Sequence, residues 1–171
     1  MFKPFFLLLC CVTLSGSLWA QQAPPREELH RQDVPTPMDS IYRWRITQEK
    51  LGGVYIPKDL YDCFKQLDKL MDADVKAKFL AFKDEEVDGR CHLNIGQWIG
   101  FKWELADGSR LSAYFNKMGV PHPDYMISII LVSYHRNLLK QDLKLKEQVE
   151  GYKKDWTKKQ AELIEKLRKG E

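Results

Sequence analysis

Three of the four histidines, His92, His122 and His135, together with Asp124, are the residues of this chain whose types could do chemistry. An imidazole titrates near neutral pH and a carboxylate can orient it, so a His–Asp pair suits general acid–base work. Two or three histidines with Asp124 would also make a metal-ligand set. Asn94, Ser109 and Arg110 are the polar neighbours such a site would recruit if the loops converge. The spacing selects neither chemistry. In His122-x-Asp124 the acid suits the first turn of a helix and the histidine its cap. His135 falls within an apolar helix, where a core histidine is the ordinary outcome. A nucleophile is disfavoured: Gly-x-Ser-x-Gly is absent, Cys63 lies on a core stripe, and Cys91 and His92 are adjacent with diverging side chains. No glycine-rich loop follows a strand, so no phosphate cradle is present, and no cofactor is expected.

Trp98 and Trp103 are the large aromatics most suited to recognition, with Arg110 as a possible rim, since such residues dominate binding hot spots. The alternative is that they fill the core. Cys63 and Cys91 either pair in an oxidising compartment or serve as two small buried hydrophobes. Nothing resembles paired Cys-x-x-Cys or histidines at zinc spacing.

The elements that must position these groups are mostly helices. Leu60, Cys63, Phe64, Leu67, Leu70 and Met71 recur at three- and four-residue steps after Pro57 and Asp59, which places them on one helical face. A shorter helix carries Val75, Phe79 and Phe82, and the acidic run Asp84-Glu85-Glu86 reads as the loop that ends it. Asn94 is a candidate cap for a helix with Ile95, Trp98, Ile99 and Trp103. There Gly96 and Gly100 share a face, so another helix must approach closely or this one must be irregular. Asp107-Gly108 marks a turn, Ser109 a cap, and Leu111, Tyr114, Phe115 and Met118 the next stripe. The segment from Pro123 to Leu139 is apolar on nearly all sides, the pattern of a buried central helix. From Leu143 to Lys169 a long amphipathic helix runs, its first half docking on the core and its second half free to project. With no strand pattern able to build a sheet, the fold class is all-α, about five to six helices.

Ahead of the domain, Lys3 and the apolar run Phe5 to Leu14 read as a signal peptide cleaved after Ala20. The run is too short for the roughly 20 apolar residues of a membrane span. Residues 21–40 carry Pro24, Pro25, Pro35 and Pro37 in a polar setting and read as a flexible tether. Residues 41–140 form the expected core domain and 141–171 the C-terminal helix. Lys and Arg number 27 against 24 Asp and Glu. The small excess after Leu139 is broken by acids, which is no nucleic-acid footprint.

Tyr55-Ile56-Pro57-Lys58, Asp62-Cys63-Phe64 with Leu67-Asp68, His92, Gly96, Trp98-Ile99, Trp103, Ser109-Arg110-Leu111, Tyr114-Phe115, His122-Pro123-Asp124, Met126, Ile130-Leu131 and Ser133-Tyr134 together resemble a bacterial family of helical domains of unknown function. The resemblance covers Tyr55 to Leu139, implies a compact helical domain and supplies no activity. Two positions depart from the pattern: Gly100-Phe101 stands where such sequences tend to have Arg-Asn, and Ile127 where they have serine.

These readings converge on a non-catalytic interaction module of the bacterial periplasm or envelope, with an unidentified protein partner and neither nucleic acid nor a membrane span. The alternative is a metal-dependent or acid–base enzyme with a pocket around His92, His122 and Asp124, near Trp103.

Overall fold

The computed structural model describes residues 37–170. The expected signal peptide and the tether up to residue 36 lie outside the described residues. The architecture is all-α: α1 Pro37–Arg45, a short hairpin of β1 Lys50–Leu51 and β2 Val54–Tyr55, then α2 Leu60–Leu70, α3 Ala73–Leu80, α4 Asp84–Cys91, a π-helical turn His92–Gly96, α5 Gln97–Lys102, α6 Arg110–Lys117, α7 Pro123–Leu138 and α8 Leu145–Lys169. Residues 37–40, expected to belong to the tether, instead open α1. Pro37 presets the φ of a first helical turn and Asp39 complements the dipole there.

The apolar-all-round segment is the centre of the fold. Every residue of α7 from Met126 to His135 is buried, and α2, α3, α4, the π turn, α5, α6 and α8 all pack against it. Its start is built as the sequence suggests, with Pro123 in the first turn and His122 as the cap. Ser109 caps α6 in a reciprocal box: its hydroxyl accepts from the Ser112 N–H while the Ser112 hydroxyl accepts from the Ser109 N–H. Asp59 and Asp72 cap α2 and α3 without a return bond, each accepting a backbone N–H at 2.8 Å.

The acidic run Asp84-Glu85-Glu86, expected as a loop, is the first turn of α4. Three carboxylates at a helix N-terminus favour its dipole, and the Glu86 side chain accepts the Lys83 N–H. The same charges that suggest solvent also start a helix.

Gly52 and Gly53 close the hairpin with positive φ at both positions, the two-residue geometry that side-chain-bearing residues resist. α1 is fastened by Arg45, whose Nε donates to the carbonyls of Asp107 and Gly108 and which pairs with Glu104. Tyr42 packs over Gly108, while Met38, Ile41 and Trp44 face solvent. Val149 of α8 is buried and Tyr152 and Trp156 are half-buried, but every residue from Ala161 to Lys169 is exposed. No described helix is long and apolar enough to cross a membrane.

Candidate functional site

The π-helical turn is the irregular element from which two features are built. Gly96 and Gly100 lie against Ile127: a Cβ at Gly96 would stand 2.7 Å from the Ile127 Cγ2 methyl, and one at Gly100 3.0 Å from its Cδ1. Both consequences anticipated for this glycine pair therefore occur, close approach of a neighbouring helix and an irregular helix. The widened turn carries His92 at its start and Asn94 and Ile95 along its length. Single π turns of this kind recur at functional sites.

At His92 the structure brings together the residues singled out for acid–base chemistry. Nδ1 of His92 lies 2.9 Å from Oδ1 of Asp88, one turn earlier on α4, and Nε2 lies 3.8 Å from Oδ1 of Asp124 at the start of α7. The imidazole is thus bracketed by two carboxylates. His122 is adjacent, 3.7 Å from the other Asp124 oxygen, but its Nδ1 accepts the Asp124 N–H at 3.3 Å as the helix cap, and its ring packs against both Tyr125 and Trp156. A nitrogen occupied as a cap acceptor is withdrawn from proton transfer and ligation. Among the described residues no group of three or more His, Cys, Asp or Glu side chains is arranged to hold a metal ion.

Other candidates are spent on the fold. His135 is 1% exposed, edge-on to Phe79, with Nδ1 3.6 Å from Asp84. Arg110 donates from Nε to the Ile56 carbonyl at 2.7 Å and lies over the Tyr55 ring, pinning the hairpin exit to α6. Ser109 is the buried cap of α6. Cys63 and Cys91 are both free and buried, and burial pushes the Cys63 thiol well above its ordinary value, which leaves it inert as a nucleophile. The tryptophans divide. Trp103, for which a recognition face and the core were the two alternatives, is 1% exposed in the core, whereas Trp98 packs edge-on against it and keeps 37% of its surface in solvent.

Trp98 is one wall of a groove of about 510 Å³ whose other lining residues are Leu67, Leu70, Met71, Val75, Asn94 and Ile95. Asn94 is its sole polar side chain. Leu70 stands at its edge with 56% exposure, although its spacing on α2 marks it as core. A cleft of this size and lining, apolar with one placed amide, suits an apolar side chain or short segment. Sequence periodicity cannot reveal it, because a groove and a core are lined by the same residue types; only the exposure of Leu70 and Trp98 tells them apart.

Residues 56–138 match the family described as Domain of unknown function (DUF6794). No curated protein matches the chain, and no solved structure does.

Proposed function

We propose that this protein is a non-catalytic interaction module that acts outside the cytoplasm, in the bacterial periplasm or envelope, and grips an apolar segment of a protein partner in the groove between α2, α3, the π turn and α5. The observation that carries this reading is the groove itself, with Leu70 and Trp98 left in solvent beside a core that buries Trp103 completely. Exposed large apolar groups gathered in one concavity are unfavourable in water unless something covers them, and a half-buried tryptophan is a typical binding anchor. The signal-like sequence of residues 1–20 supports the location.

The experiment is site-specific photocrosslinking in the envelope of the producing cell. A photoreactive side chain at position 70 or 98 gives one discrete adduct of fixed stoichiometry, and the same group at Lys146 gives none. Equal labelling from all three positions, or none from any, overturns the reading.

A second reading, acid–base catalysis, is favoured by one observation: the His92 imidazole held between Asp88 and Asp124. It requires that His92→Gln, which retains hydrogen bonding without the titration, abolish a turnover that the wild type displays.

A further inference from the structure

The last three turns of α8 present an apolar face that the domain does not cover. The stripe that buries Val149 and half-buries Tyr152 and Trp156 continues as Leu163, Ile164 and Leu167, all at least half exposed. At 100° per residue, Lys159 and Lys166 flank this stripe on one side and Arg168 on the other, while Glu162 and Glu165 fall on the opposite face. A surface that accepts this helix must therefore be apolar in its middle and acidic along its rims.

The same chain carries such a surface. Beside α8, over α7 and against α4, runs a groove of about 550 Å³ with Val132, Gly151 and Tyr152 in its lining, five carboxylates, Asp84, Glu85, Asp88, Glu147 and Asp155, and Arg136 as its one basic residue. Arg136 is already engaged by Asp84, and Asp88 and Asp155 are engaged by His92 and Lys159, so Glu85 and Glu147 are the carboxylates that face an incoming helix without an ion pair of their own among the described residues. Gly151 supplies an independent sign. A glycine inside a helix costs about 1 kcal/mol relative to alanine, yet a Cβ placed there meets nothing within 4 Å. Among the described residues nothing uses the space it leaves.

We propose that the α8 tail of a second copy occupies this groove, and reciprocally, in a two-fold dimer. Two α8 helices laid antiparallel and side by side, with the axis near Thr157, rest each tail on the other copy's domain with its apolar stripe facing inward. This register sets Leu163 of the second copy over Gly151, Leu167 beside Glu147, and the Lys159–Asp155 ion pair of each copy beside that of the other. The contact is isologous, so it closes without leaving a free end. Tail-on-tail pairing is the poorer arrangement, because an antiparallel pair of stripes would set Lys159 against Lys166. The dimer is independent of the Trp98 groove and leaves it open.

The test is the oligomeric state of the purified protein by light scattering and sedimentation over a wide concentration range, at low and high salt. The wild type is expected to be a dimer that weakens with salt. Gly151→Leu should be a monomer, with a melting temperature unchanged or raised relative to the wild type at a dilution where that too is monomeric, since among the described residues the side chain points into empty space. A groove variant, Glu85→Lys with Glu147→Lys, and a tail variant, Lys166→Glu with Arg168→Glu, should each be monomeric, and mixing them should restore a heterodimer. A wild type that stays monomeric at every concentration, or a Gly151→Leu protein that remains dimeric, overturns the proposal. So does a monomer whose tail instead sediments with anionic phospholipid vesicles, a result that would make it a lipid-surface helix.

Discussion

At Asp62 two opposing effects meet. Burial alone would push its carboxyl pKa up, but the Tyr55 hydroxyl, the Lys58 N–H, Gln66 and the nearby Arg110 outweigh burial and hold it below the ordinary carboxylate value. A carboxylate with a depressed native pKa contributes stability above its unfolded value of about 3.9 and loses that contribution as pH falls through the native pKa. Asp62→Asn should therefore cost about 1–3 kcal/mol at neutral pH by denaturant titration, and the difference from wild type should vanish in strong acid. A gap that persists unchanged below both pKa values would show that packing rather than charge is involved. At Gly96 the argument is one of space. Gly96→Ala drives a methyl to within 2.7 Å of Ile127 Cγ2, and overpacking of this kind costs about 1–3 kcal/mol. Combined with Ile127→Ala the penalty should be less than the sum of the two single changes, and strict additivity in that double-mutant cycle would contradict the contact.

Among the elements, the legible ones are those whose local signals agree. Pro123 with an apolar run gives α7, Ser109 after Asp107-Gly108 gives the start of α6, and the stripe from Val149 to Leu167 gives α8 with its half-docked, half-projecting character. Asp84-Glu85-Glu86 was illegible because a charge run has the same composition in a loop as in a helix N-terminus, and only the apolar Val87 and Cys91 one turn apart hint at α4. The histidine cluster was legible as a set of residues, since His92, His122 and Asp124 do converge. The role of His122 as a cap was partly so, whereas that of Asp88, the closest partner of His92, was not, because it lies in the same charge-rich stretch as Asp84-Glu85-Glu86. The apolar groove was not legible, because Leu70 and Trp98 sit at core spacing on their helices. Two element-scale results follow. Ser109→Ala should lower stability by about 0.5–2 kcal/mol, at the upper end because both serines of the box are buried; a change within error would mean that the α6 N-terminus finds another acceptor. Removing residues 161–171 should leave the melting temperature of the dissociated monomer unchanged, as the side chains from Ala161 to Lys169 are exposed and their ion pairs, Lys158–Glu162 and Lys169–Glu165, lie within α8, whereas Trp156→Ala should lower it by removing its ring contacts with His122 and Tyr125.

For the whole molecule, the fold and the proposed function make different demands on the same helices. The core is complete around α7 without Leu70 or Trp98: Leu60, Phe64, Leu67, Phe79, Trp103 and Phe115 are all buried. The edge formed by Leu70 and Trp98 is one that the core does not need but that remains apolar, and Leu70→Glu separates the two demands. A glutamate is a good helix former and is better solvated than leucine at a position 56% exposed. The decisive measurement is therefore the melting temperature of Leu70→Glu taken together with its crosslinking yield from position 98. The melting temperature should be unchanged or higher, with loss of the partner adduct. A lower melting temperature with the adduct retained would place Leu70 in the core and contradict the proposed function.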